Sequence, residues 1–138
     1  MARAARPTLE SMVWMAQEER DFVRECRPIG EHAYLISLAG DFDLHSGPEF
    51  ERRVLEALGR GAFELLIDLS EVSFIDSTTI GILMRTRKRL APLGGRVLVV
   101  TSDRNILRLF EITALDRMFE IYSRRTDALE EINGDTGH

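Results

Sequence analysis

Apolar positions along this chain follow two rhythms, short continuous runs and a spacing of three to four. Leu65-Leu66-Ile67 and Arg96-Val97-Leu98-Val99-Val100 are runs, the pattern of strands buried on both faces. Phe22 to Arg27 and Ala33 to Leu38 are rich in strand formers and flank the turn signal Pro28-Ile29-Gly30, so a hairpin is expected. Between these strands and the first run, Phe50, Val54, Leu55 and Leu58 share one helical face. Ser46-Gly47-Pro48-Glu49 has the spacing of a capping box, and Gly59 and Gly61 end the predicted helix. A second helix carries Ile80, Leu83 and Met84 at core spacing until Ala91-Pro92-Leu93-Gly94-Gly95 breaks it. A third carries Ile106, Leu107 and Phe110 behind a cap at Asp103 or Ser102. A short strand near Phe119 to Tyr122 and a helix from about Thr126 to Ile132 complete the set.

Strands that alternate with helices pair largely in parallel, with the helices packed on the sheet. The expected fold class is therefore α/β, with a mixed, largely parallel sheet. Three segments are expected: an N-terminal extension over residues 1–19, a domain over 20–133, and a frayed tail over 134–138. In the extension, Leu9, Met12, Val13 and Met15 with Trp14 fit a short amphipathic helix.

Composition narrows the function classes. At 138 residues the chain suffices for one domain with a full core. A net charge of -5 argues against nucleic acid or an anionic membrane as partner. No apolar run approaches the roughly 20 residues that span a bilayer, and no apolar stretch follows Arg3 and Arg6 as a secretory signal requires. Cys26 has no second cysteine to pair with, so a cytoplasmic location is expected. His32, His45 and His138 are scattered, which gives no metal-ligand spacing. No phosphate-binding glycine loop is present, and no cofactor is expected. Arg85, Arg87, Lys88 and Arg89 have no interleaved aromatics and read as a solvated helix face.

The remaining chemistry lies in Phe74-Ile75-Asp76-Ser77-Thr78-Thr79-Ile80-Gly81, where one carboxylate and three hydroxyls sit between apolar residues. A nucleophilic serine needs a base and an oxyanion hole. Ser77 lacks the glycines of a nucleophile elbow, and its only nearby candidate base, His45, belongs to another loop. Asp76 and Ser77 are also residues favoured at a helix start, where capping contributes about 1 kcal/mol. No enzyme activity is expected.

The chain resembles the STAS domain, shared by anti-sigma factor antagonists and the cytoplasmic ends of sulfate transporters. The resemblance covers about residues 21 to 132 and rests on Gly40-Asp41-Phe42-Asp43, on Leu66-Ile67-Asp68-Leu69-Ser70-Glu71-Val72 leading into Phe74-Ile75-Asp76-Ser77, on Gly94-Gly95-Arg96-Val97, and on Ile106 to Thr113. It implies a mixed sheet with helices mainly on one face. It also implies a regulator, not a catalyst. In such antagonists the unmodified protein binds an anti-sigma factor serine kinase and frees the sigma factor. Phosphorylation of the serine after the motif aspartate, here Ser77, switches binding off, and a phosphatase restores it. Asp41, Asp43, Asp76, Ser77, Thr78 and Thr79 are the partner-binding residues that the resemblance implies. One position departs from the family: Thr79 stands where glycine is common, while Gly81 is retained. A branched side chain there motivates an alternative, a non-phosphorylated STAS subunit of a signalling assembly or lipid-transport complex.

Overall fold

The structure, a computed structural model, describes the backbone of residues 22–136 and the side chains of residues 22–133. The expectation for residues 1–19 lies outside the described residues. Five strands, β1 (Val23–Pro28), β2 (Ala33–Phe42), β3 (Glu64–Ile75), β4 (Arg96–Val100) and β5 (Glu120–Tyr122), form one sheet in that spatial order. Four described helices alternate with them: α1 (Gly47–Gly59), α2 (Ser77–Leu90), α3 (Arg104–Ile112) and α4 (Arg125–Thr136). The β1–β2 pair is an antiparallel hairpin, and the other pairings are parallel. The element order and mixed sheet match the expectation from the sequence. The last helix, however, continues through Thr136, so residues 134–136 are helical rather than a frayed tail.

Alternation along the buried strands sorts the core into two layers. Ile36, Leu65, Ile67 and Val99 face α1, α2 and α3, together with Phe50, Leu83 and Phe110 from those helices. Leu35, Leu66, Leu98 and Val100 face the opposite side, which Ala128 and Ile132 of α4 cover. Three helices thus lie on the front face and one on the back.

Two expected core positions prove to be outside. Leu55 is 49% exposed and Met84 44% exposed, while Ala57 and Ile82 take the inner positions. Helical spacing defines a stripe, and its neighbours decide which edge of the stripe is covered. Gly47 is buried where α1 crosses α2; a Cβ there would lie 2.6 Å from Ile82 Cδ1.

β2 and β3 extend well beyond the apolar runs that signalled them. From Ser37 to Phe42 the β2 strand advances five residues, while its partner advances seven, from Asp68 to Ile75. Two register shifts absorb the difference, and Gly40, with φ of +96°, lies between them. Such irregularities bend a strand and re-aim the residues beyond the bend. Here they carry the ends of β2 and β3 to a common edge.

Candidate functional site

At that edge the chain must pass from extended strand to helix, leaving amide donors without helical partners. Asp76 resolves this locally. Its backbone is extended, and its Oδ1 accepts from Thr79 N at 3.1 Å, which caps α2. Its other oxygen, Oδ2, accepts from Leu44 N at 3.2 Å in the loop after β2, and its own amide donates to Phe42 O at 3.2 Å. One residue therefore joins two loops that are 32 positions apart in sequence.

The loop after β2 is self-bonded. Asp43 Oδ1 accepts from His45 N at 2.9 Å and Ser46 N at 3.2 Å. Burial pushes the Asp43 carboxyl up, but the bonds from Ser46 and His45 outweigh it and hold the group below its ordinary value. Ser46 Oγ donates to Asp41 O at 2.7 Å and accepts from Asp43 N at 3.0 Å. The expected capping box is thus absent. Ser46 adopts a helical backbone conformation that turns its hydroxyl into the loop, and Glu49 Oε1 instead accepts from Val23 N of the edge strand at 3.2 Å. Asp103 does cap α3, accepting from Asn105 N and Ile106 N.

Ser77 is the first residue of α2 and is exposed, as is Thr78. Among the described residues neither hydroxyl has a hydrogen-bond partner. Asp41 is exposed on the last stretch of β2, and Asp43 and Asp76 are half-buried beside it. Thr79 is different: it is fully buried, and its Oγ1 donates to Asp76 O at 2.8 Å. Its place on the partner-contacting surface is corrected accordingly. Its methyl group comes within 3.9 Å of where a Cβ on Gly47 would stand, so it packs under α1 and offers nothing to a docking molecule. No hydrogen bond joins Ser77 to His45 among the described residues, and His45 is exposed.

Two residues at this edge escaped the sequence reading. Leu44 is 61% exposed and Phe74 50% exposed. Phe74 alternates with the inward Ile75, but the register shift before it hides the phase from a period-two pattern. Leu44 left a fainter signal, a lone large apolar residue inside the polar stretch Asp43 to Ser46.

The basic residues of α2 are more constrained than a solvated face. Arg85 and Arg89 both bond Glu51 of α1, at 3.0 and 2.9 Å, and Arg87 Nε donates to Met118 O at 3.0 Å. Among the described residues no group of three metal-ligating side chains converges, and no helix is long and apolar enough to cross a membrane.

A family model described as the STAS domain matches residues 27–128. An anti-sigma-B factor antagonist of Bacillus subtilis is 30% identical over 94 residues, which are 68% of this chain and 85% of the relative. A crystal structure of an anti-sigma factor antagonist from Mycobacterium paratuberculosis aligns with a TM-score of 0.68 at 27% identity, covering 80% of this chain and 91% of that one. The phosphorylated form of the Bacillus cell fate determinant SpoIIAA aligns with a TM-score of 0.65, covering 78% of this chain and 97% of its own. At 16% identity that last likeness is one of fold.

Proposed function

Because the chain belongs to the STAS domain family, we propose that it is an anti-sigma factor antagonist controlled by phosphorylation of Ser77. The unmodified protein binds an anti-sigma factor kinase through Asp41, Asp43, Asp76, Ser77 and Thr78, with Leu44 and Phe74 supplying apolar contact. In the modification step Ser77 Oγ attacks the terminal phosphorus of a nucleoside triphosphate held by the kinase. A P–O bond forms, the bond to the departing diphosphate breaks, and the serine proton leaves to a base of the kinase. A phosphatase reverses the modification by hydrolysis.

The observation that carries this reading is the exposed, unbonded Ser77 hydroxyl at the first position of α2. A phosphate there meets the free amides and positive end of the helix, so the fold accommodates it. It also adds about -1.5 to -2 charge beside the Asp76 carboxylate. Inside an interface that charge opposes association by repulsion and desolvation, without unfolding this domain. The name of the Bacillus subtilis relative supports the antagonist role. The case for a constitutive, non-phosphorylated subunit came from the branched side chain of Thr79, and that side chain is fully buried.

Calorimetric titration of a cognate anti-sigma factor kinase with wild type and with Ser77→Asp tests the proposal. The variant is expected to bind at least about tenfold more weakly, about 1.4 kcal/mol, with an unchanged melting temperature. Equal affinity of the two proteins would overturn it.

A further inference from the structure

The Ser77 site makes no use of the cationic stretch of α2. Met84, Arg85, Arg87 and Lys88 line an open cleft of about 360 Å³ together with Met118, which follows α3. That volume lies within the roughly 300–1,000 Å³ of clefts that hold ligands. Both methionines are exposed, and their unbranched side chains adapt to the shape of an occupant. No carboxylate lines the cleft. Glu51 engages Arg85 from α1, and Arg87 Nε donates to Met118 O. Lys88 has neither a hydrogen bond nor an ion pair among the described residues. On a chain of net charge -5, this cationic and apolar cleft favours an occupant that offers an apolar side chain beside carboxylates.

The chain itself carries that chemistry in the loop after β2. Leu44 is exposed, follows Asp43 directly and donates its amide to Asp76 Oδ2. Ser46 Oγ, bonded to Asp41 O and Asp43 N, holds the exposed Asp41 to the same loop. The Asp41 carboxylate has no hydrogen bond among the described residues. This loop does not reach the cleft of its own molecule. The bond to Asp76 ties Leu44 to the start of α2. Met84 and Lys88 lie seven and eleven residues after Ser77 on that helix, about 10 and 16 Å along its axis.

We propose that Leu44 and its flanking carboxylates dock into the Met84–Met118 cleft of a second copy of this chain. Leu44 packs between the two methionines, while Asp41 and Asp43 face Arg87 and Lys88. The two surfaces differ, so the contact is heterologous and runs head to tail. Copies of equal net charge repel one another, which keeps the association weak and reversible. The acidic loop also belongs to the face proposed for the kinase, so a copy docked in this way is closed to it. That consequence rests on the partner-binding reading; the contact itself does not.

Sedimentation velocity of the full chain tests the contact. At low ionic strength the mean sedimentation coefficient is expected to rise with concentration up to ~1 mM. It should rise less in about 1 M salt, where the Debye length falls to about 3 Å. Lys88→Glu and Asp41→Lys should each raise the dissociation constant at least about tenfold. Both positions are exposed and neither side chain is bonded among the described residues, so both variants keep the native circular dichroism spectrum. Leu44→Ser, which removes the apolar knob and no charge, should weaken association as well. An equal mixture of Lys88→Glu and Asp41→Lys should associate again, because the first keeps the native loop and the second the native cleft. Wild type that stays monomeric to ~1 mM would overturn the proposal, as would association that Lys88→Glu leaves intact. A mixture that stays monomeric would assign the contact to two like patches and overturn it equally. No kinase enters the measurement, so a failure here is distinct from a failure of the Ser77 calorimetry.

Discussion

Asp76 accepts from two amides that belong to different segments, one in the first turn of its own helix and one at Leu44 in the loop after β2. Removing it deletes a cap and frees the loop that carries Asp43. Asp76→Ala is expected to cost about 1–2 kcal/mol in urea unfolding and to speed amide exchange at Leu44. Asp76→Asn keeps one acceptor oxygen but turns its NH2 toward the other amide donor, so it should recover only part of the stability. Thr79 tests the opposite assignment. Thr79→Val keeps the volume but loses the bond to Asp76 O, so it should cost about 1 kcal/mol and leave kinase affinity unchanged. A loss of affinity without a loss of stability would return Thr79 to the docking surface.

Between elements, the α1–α2 contact is fixed by Gly47 at the close crossing and by Glu51 between two arginines. Hydrogen bonds from Arg85 and then Arg89 hold the Glu51 carboxyl below its ordinary value of 4.5, against a smaller upward push from burial. A depressed folded pKa gives stability that is present above the ordinary value and is lost as pH falls through the folded one. Glu51→Gln should therefore lower the melting temperature near neutral pH and flatten its decline below about pH 4.5, as read by thermal scans. The turn into β4 is stricter. A Cβ on Gly95 would stand 2.0 Å from Phe63 O, a backbone atom that no rotamer change can move. Gly95→Ala should cost about 3 kcal/mol, more than Gly47→Ala, where the flexible end of Ile82 can shift.

Across the whole molecule, α4 is anchored to the back of the sheet by charge as well as by Ala128 and Ile132. Arg125 Nε lies 2.6 Å from Asp68 Oδ2, and its terminal nitrogen 2.9 Å from Glu25 Oε1. The Asp68 side chain is only 5% exposed and also accepts from Ser70. Removing Arg125 strands that carboxylate in the interior, although the arginine's own side chain is 32% exposed and solvent relieves part of the loss. Arg125→Met is expected to destabilise by about 2 kcal/mol. Asp68→Asn added to it should cost less than the sum of the single changes. A double-mutant cycle by chemical denaturation checks the coupling.

By itself the sequence determined the order of elements, the two buried runs at Leu65–Ile67 and Arg96–Val100, the helix start at Asp76, and the next helix start to within Ser102 or Asp103. Each depends on near neighbours: an apolar period, a cap three residues ahead, a glycine after the last turn. Ser77 stood out for the same reason, since its motif is contiguous. Only the tertiary structure decided that Thr79 is buried while Leu44 and Phe74 are not, and that Glu49 reaches Val23 instead of closing a capping box. It also set Glu51 against Arg85, 34 residues away, and placed α4 alone on the back face. Burial and ion pairing are fixed by segments distant in the chain. Where the register between β2 and β3 shifts, even the alternation that assigns a side chain to one face is lost from the linear pattern.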